Sequence, residues 1–346
     1  MRGVAGDTSD QAPQARPAEV STIREVAQMA DVSISTVSRA FNQPEKVQAD
    51  TRDRVMAAAK SLDYSPNPLA RGLITGRTGS IGLVVPDVTN PFFPALIRAA
   101  QARARASAYT CILADTDEDV YVEARVVEQI SRQVDGLVVC SPRMDAEALV
   151  RTSELTTTVF VQRPVPGATV VILDVELGMR QAVAHLHALG HRRVAYVGGP
   201  PASWSDLERR RTARSATEEM GMELTELGPF PPQFGGGVQA ADIVIAQGTT
   251  GVVAYNDLVA LGIISRLTNR GRRVPEDISV VGFDDIPMAE MSLPALTTVA
   301  MPVAAAGRTA VELLLDLLDG GRSPGGEFIR LPTHLVVRGS TGSAVE

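Results

Sequence analysis

Residues 22–42 read Thr22-Ile-Arg-Glu-Val-Ala-Gln-Met-Ala-Asp-Val-Ser-Ile-Ser-Thr-Val-Ser-Arg-Ala-Phe-Asn42. Thr22 with Glu25 three residues on is a capping box, in which a hydroxyl caps the helix start and a carboxylate reaches back. It predicts a first helix over about Ile23–Ala30, with Ile23, Val26, Ala27 and Ala30 on one face. Asp31-Val-Ser33 reads as a tight turn, and Ser33 as the cap of a second helix over about Ile34–Phe41. That helix buries Val37 and Phe41 and leaves Ser35, Thr36, Ser38 and Arg39 as small polar or cationic side chains. A third helix over about Asp50–Leu62 closes a small core with Val55, Ala58, Ala59 and Leu62. Two short helices about a tight turn are how a recognition helix enters the major groove. Its N-terminal half reaches base edges while hydroxyls hold phosphates. Arg39 has the fork geometry for guanine. A hairpin that merely packs on the rest of the chain is the bland alternative. Three capped helices ahead of a connector and an α/β body favour the nucleic-acid reading.

Outward from this module, Met1–Ser21 reads as a disordered tail, Thr22–Tyr64 as the helical head and Ser65–Gly79 as a Pro/Gly-punctuated connector. From residue 80 to 341, continuous apolar runs such as Ile81-Gly-Leu-Val-Val85, Gly136-Leu-Val-Val-Cys140 and Ile278-Ser-Val-Val281 alternate with helical stretches. That alternation predicts parallel sheets covered on both faces, and the length suits two doubly wound α/β subdomains. Gly235-Gly-Gly237 lacks phosphate-loop spacing and reads as flexible.

Composition sets limits. Net charge is −7, but residues 22–78 carry a net +2 and the remainder a net −9, a mildly basic module on an acidic body. The lysines are Lys46 and Lys60, both in the head. The body therefore lacks the lysine that a P-loop or a pyridoxal enzyme needs. Cys111 and Cys140 lie in apolar runs and read as buried free thiols. With no apolar run of membrane-spanning length and no apolar segment at the start, a cytoplasmic protein without a membrane partner is expected. Gly-x-Ser-x-Gly, His-Glu-x-x-His and Gly-x-Gly-x-x-Gly motifs are missing, and His185 and His187 face apart. No catalytic residue, metal site or cofactor is expected, and a binder is preferred to an enzyme.

The head is similar to that of the lactose-repressor/purine-repressor (LacI/GalR-type) family of bacterial transcriptional regulators. The likeness continues through Thr51-Arg-Asp-Arg-Val, Leu62-Asp-Tyr-Ser-Pro-Asn-Pro-Leu-Ala-Arg-Gly-Leu73 and Thr78-Gly-Ser-Ile-Gly-Leu-Val-Val-Pro-Asp-Val-Thr-Asn-Pro-Phe-Phe93. It implies a helix-turn-helix headpiece on a periplasmic-binding-protein-like body, acting as a homodimeric repressor on near-palindromic double-stranded DNA. It also implies a small-molecule effector, a sugar or sugar-like compound. Ile34, Ser35 and Arg39 would face bases; Ser33, Thr36, Ser38, Asn42 and Thr51 would lie near the backbone, with Thr22, Asn67 and Ala70 among the further DNA contacts. Leu73 matches the family's minor-groove wedge. Gly72 departs from the commoner Ser, and glycine costs roughly 0.5–1 kcal/mol in a helix interior. The hinge helix implied here would therefore fold less readily.

Ligands of open α/β sheets sit beyond the carboxyl ends of the strands. That rule and the resemblance together nominate Asn90, Phe92, Phe93, Arg163, Arg209, Asn256 and Asp284 as effector contacts. Trp204 joins them from a loop. Phe92 reads more readily as core than as a contact, Phe93 more readily as a contact than as core, and Asp257 as the cap of a helix starting at Leu258. Gln162, Val175 and Met301 depart from the polar residues that sugar-binding members usually carry, which points away from the simplest monosaccharides. For the hinge, Leu73→Ala is expected to weaken operator binding and reduce DNA bending, measured by gel shift at fixed salt; unchanged affinity and bend would eliminate the wedge.

Overall fold

The structure, a computed structural model, describes residues 21–64, 77–321 and 326–344. Asn67, Ala70, Gly72, Leu73 and the tail lie outside the described residues, as does the side chain of Asn42. The chain divides into two compact units, residues 1–76 and 77–346.

In the first unit, α1 spans Ile23–Met29, α2 Ile34–Asn42 and α3 Ala49–Ser61, with a 3-10 turn at Pro44–Lys46. The capping box forms: the Glu25 amide donates to Thr22 Oγ1 at 3.4 Å, and the Thr22 amide to Glu25 Oε2 at 2.6 Å. Asp31 takes a left-handed φ of 50°, which short polar side chains tolerate, and turns the chain into α2. Ser33 Oγ then accepts from the Thr36 amide at 3.2 Å. Val26, Val37 and Val55 form the centre, walled by Ala27, Ala30, Ala40, Ala58 and Ala59, whose small side chains let three short helices close on one another. Phe41 and Tyr64 seal the edge with ring centroids 6.0 Å apart.

The second unit holds two six-stranded sheets. The first contains β1 (Ser80–Val85), β2 (Thr110–Asp115), β3 (Gly136–Cys140), β4 (Thr157–Val161), β5 (Thr169–Leu173) and β11 (Phe328–Leu331), in the order β11-β5-β4-β3-β1-β2. The second contains β6 (Arg193–Val197), β7 (Glu223–Leu227), β8 (Gly251–Ala254), β9 (Ser279–Asp284), β10 (Thr297–Ala300) and β12 (His334–Val336), in the order β12-β10-β9-β8-β6-β7. Every pairing is parallel except β12 on β10. Between the strands run α4 (Phe93–Ala106), α5 (Val120–Ser131), α6 (Ala146–Leu155), α7 (Val175–Ala188), α8 (Trp204–Glu219), α9 (Phe234–Ala246), α10 (Asp257–Asn269), α11 (Pro287–Met291) and α12 (Val303–Leu318). Each sheet reverses its strand order once, between β1 and β3 and between β6 and β8, where loops diverge to opposite faces and leave a crevice.

The chain passes between the sheets at the β5–α7 junction, at the β10–α12 junction and between β11 and β12. The first and last are tied together: the Asp174 amide donates to the Leu331 carbonyl at 2.9 Å, and Thr333 Oγ1 to the Asp174 carbonyl at 2.7 Å. Three strands escape sequence reading. β7 carries two glutamates on a half-exposed edge, β11 is a short edge strand, and β10 is threonine-rich although fully buried.

Gly235-Gly-Gly237 is not a flexible loop. It forms the first turn of α9, pressed on α10 so closely that a Cβ on Gly237 would meet the Val259 carbonyl oxygen at 2.0 Å. Reciprocally, a Cβ on Gly262 would meet the Phe234 carbonyl oxygen at 2.1 Å. The glycines are there for backbone-to-backbone contact. Gly237→Ala should destabilise the body by about 1–3 kcal/mol through overpacking, read as an earlier urea midpoint; an unchanged midpoint would contradict this packing.

Candidate functional site

The surface strip of α2 comes first. Ser33 and Thr36 hydroxyls share a 2.9 Å hydrogen bond, and Ser33 and Ser35 one of 2.8 Å, so the helix start is a preformed hydroxyl cluster. Ile34, Ser35 and Arg39 are exposed while Val37 and Ala40 point inward, and Ile34 remains 45% exposed. An exposed β-branched residue at the start of a capped helix contributes nothing to the core. Thr36, Ser38 and Thr51 are half-buried at the margins, and Thr22 is exposed at the start of α1.

In the second unit, a narrow cleft with about 30 Å³ of water-accessible space lies at both switch points. Asn90, Phe92 and Phe93 from the β1–α4 turn line it, with Arg209 from α8, Asn256 at the start of α10 and Asp284 at the end of β9. Gln162 and Met301 line it too. Arg163 and Trp204 do not. Arg163 is half-buried behind the cleft near Glu123, Arg143 and Asp145. Trp204 is the first residue of α8 and packs, partly buried, against the core of the first sheet.

Arg209 organises the second-sheet side. Its guanidinium donates to the Tyr255 carbonyl and, at 3.4 Å, to Asp284 Oδ1, and lies 3.9 Å from the Phe283 ring centroid. Its Nε is buried without a hydrogen-bond partner. Asp284 holds a φ of 115°, costly for a non-glycine residue, which turns its carboxyl into the cleft. Burial pushes that carboxyl up to about 7, against the pull of Arg209.

The amides nominated from sequence are less available than expected. Asn256, not Asp257, caps α10: its Oδ1 accepts from the Val259 amide at 2.9 Å and its Nδ2 donates to the Pro232 carbonyl at 2.8 Å. Asp257 is instead the first residue of the helix and wholly buried. It accepts from the Ile286 amide at 2.8 Å and from Thr298 Oγ1 at 2.5 Å, so it clamps β9 to β10. Gln162 bonds both ways with the Leu173 main chain, at 2.7 and 3.2 Å, which extends the sheet. Asn90 Oδ1 accepts from the Phe92 amide at 3.0 Å. The Phe92 and Phe93 rings meet edge to face at 5.0 Å; Phe93 is core and Phe92 half-exposed to the cleft.

Sequence reasoning overlooked Glu118, Ser141, Arg143, Ser205 and Tyr255. Glu118 and Arg143 form a two-pronged ion pair of 2.5 and 2.9 Å, and Arg143 also donates to the Ser141 carbonyl at 2.7 Å. The rule that nominated Asn90 applies equally to Glu118 after β2 and Arg143 after β3, so the signal was present. Beneath them Glu123 accepts from the Arg143 amide at 2.7 Å, while its Oε1 is buried without a partner. Burial raises its carboxyl to about 7, and the Arg143 amide and guanidinium oppose the rise.

A model of bacterial regulatory proteins of the lacI family matches residues 22–67, and one of periplasmic binding protein-like domains matches residues 183–341. The HTH-type transcriptional regulator DegA of Bacillus subtilis is 32% identical over 93% of this chain and 98% of its own length. The chain belongs to the LacI family. It is a ligand-responsive, DNA-binding transcriptional regulator and not an enzyme. A lac repressor dimer, solved bound to operator and the anti-inducer ONPF, superimposes with a TM-score of 0.85 at 28% identity, covering 94% of this chain and 100% of that one. The transcriptional regulator CelR in complex with cellobiose superimposes at 0.70 with 30% identity, again over 94% and 100%. Among the described residues of this LacI-family chain, no helix is long and apolar enough to cross a membrane.

The raised carboxyls of this regulator make stability depend on pH. Glu123 has an ordinary value of 4.5, so between that and about 7 the folded protein holds a proton the unfolded chain has released. Stability then falls as pH rises through this window and stays low above it. Melting temperature should decline from pH 5 to pH 8, and Glu123→Gln should flatten the decline. Parallel curves for the two proteins would mean another group titrates.

Proposed function

We propose that this LacI-family regulator is a cytoplasmic homodimeric repressor. Two heads read a near-palindromic operator, and a sugar or sugar-like effector in the cleft alters hinge order and head spacing. One observation carries the DNA half: α2 presents Ile34, Ser35 and Arg39 outward while Val37 and Ala40 on its other face pack into the core of the head. Thr22, Ser33, Thr36, Ser38, Asn42 and Thr51 are assigned to backbone contacts, and Asn67, Ala70 and Leu73 to the linker's passage along the minor groove. Support for a dimer comes from the lac repressor dimer on its operator, whose fold this chain shares along its length. One head spans one half-site, so a symmetric pair doubles the contacts.

The effector half rests on Arg209 and Asp284, paired with each other at the cleft, and on Phe92 as an apolar wall for a sugar face. CelR, of the same fold, is solved with cellobiose. Asn90, Phe93 and Asn256 shape the pocket. Trp204 is assigned to closure, since it spans from α8 to the core of the first sheet; Arg163 backs the Glu118–Arg143 side.

Gel shifts on the DNA upstream of its own gene, at stated salt, with and without a panel of neutral sugars, test this reading. Arg39→Ala should weaken specific binding by about 1–3 kcal/mol and relax sequence preference. Arg209→Met should keep DNA binding and lose the response to whichever sugar acts on the wild type. DNA binding unaffected by Arg39→Ala, or an intact sugar response in Arg209→Met, would refute the corresponding half.

A further inference from the structure

The cleft holds two cations, and the protein neutralises each of them. Its charged lining residues are Glu118, Arg143, Arg209 and Asp284. Arg143 spends its guanidinium on Glu118 through both prongs, with side-chain exposures of 5% and 21%. Arg209 pairs with Asp284 at 3.4 Å, with exposures of 5% and 7%. Tyr255 stands between the pairs: burial raises its phenol, and both Arg143 and Arg209 oppose that rise. Its hydroxyl is held at 3.0 Å by Ser203. One pair therefore comes from the first subdomain and one from the second, with a fixed aromatic ring between them.

We infer that this cleft takes an electrically neutral, polyhydroxylated ligand and excludes anionic ones, with Glu118 as the residue that enforces the exclusion. The inference deepens the effector reading above and rests on it. A ligand phosphate or carboxylate needs an unshared cation. To reach Arg143 it must displace Glu118, which is covalently tethered beside it and so present at high effective concentration. Glu118 is also preset: Asp117 and Glu118 adopt left-handed φ values of 52° and 57°, a turn that delivers the carboxylate to Arg143. To reach Arg209, an anion must sit beside Asp284. A hydroxyl displaces nothing. Arg143 has five N–H groups, and three are used by Glu118 and the Ser141 carbonyl. The carboxylates keep lone pairs for hydroxyl donors. A sugar bearing hydroxyls toward both ends meets a donor-acceptor pair on each side.

The test uses the full-length protein and inorganic phosphate as a charge probe, in thermal shift against chloride at matched ionic strength. Wild type should show no saturable stabilisation by phosphate. Glu118→Gln should expose Arg143 and gain a saturable rise of about 2 °C or more. Glu118→Gln combined with Arg143→Met should lose that gain. In parallel, wild type is titrated with D-glucose, D-glucose 6-phosphate and D-glucuronate, and operator binding is followed by gel shift in the same samples. Saturable stabilisation of wild type by phosphate or by either charged sugar overturns the inference, as does a folded Glu118→Gln protein that gains no phosphate response. If Glu118→Gln does not fold, the wild-type arm decides alone. An anionic sugar that binds and changes operator affinity would sink the exclusion while the regulator reading survives. Loss of operator binding under every condition would sink the regulator reading and leave the phosphate result intact.

Discussion

The buried contact between Arg209 and Asp284 is the interaction on which the cleft depends. A guanidinium removed from water must be compensated by fixed dipoles and charge, because an uncompensated buried ion is prohibitively costly. Compensation comes from three places: the carbonyl at the end of β8, the carboxylate at the end of β9 and the face of Phe283. Satisfying one cation therefore sets the relative positions of α8 and two neighbouring strand ends. The strained φ of Asp284 is maintained because the surrounding backbone is over-determined, with Asp257 clamping β9 to β10 just behind it.

The first subdomain solves the same problem with a different pair. Arg143 is compensated by Glu118 and the Ser141 carbonyl, and its amide by Glu123. Both carboxylates of the cleft, Glu118 and Asp284, sit at positive φ, as do its lining residues Ser141 and Gln162 just beyond β3 and β4. A parallel strand ending under a helix leaves little room, so a positive φ is how a side chain is turned toward the crevice rather than along the sheet. The cost is stored where the ligand's hydroxyls would meet the protein.

Among the described residues, two buried side-chain atoms lack a hydrogen-bond partner, Arg209 Nε and Glu123 Oε1, and they differ in meaning. The first belongs to a guanidinium whose other nitrogens are engaged by the Tyr255 carbonyl and Asp284. The second lies beneath the cleft, and its cost appears instead as a carboxyl raised to about 7. One is a cost carried within the Arg209 network, the other a pH dependence built into the first subdomain.

The head was legible almost entirely. Its helices, caps and core are governed by contacts within a few residues, and Thr22, Ser33 and Val37 announce their roles by spacing. The alternation of apolar strands with helices likewise announced two parallel sheets, since strands buried on both faces cannot hide their composition. The edge strands β7 and β11 were invisible because an edge is half solvated and needs no apolar run. The run Gly235–Gly237 was misread because close backbone contact, which Gly237 makes with the neighbouring helix, and flexibility ask for the same residue. The cleft was half legible: proximity to strand ends found Asn90, Phe92 and Asp284 and the family resemblance found Arg209, but Asn256 turned out to be engaged by the backbone. By itself the sequence determined the local caps, the periodicities and the family. Only tertiary structure decided which charges face one another, because Glu118 and Arg143, or Arg209 and Asp284, are distant in the chain and meet solely where two switch points converge.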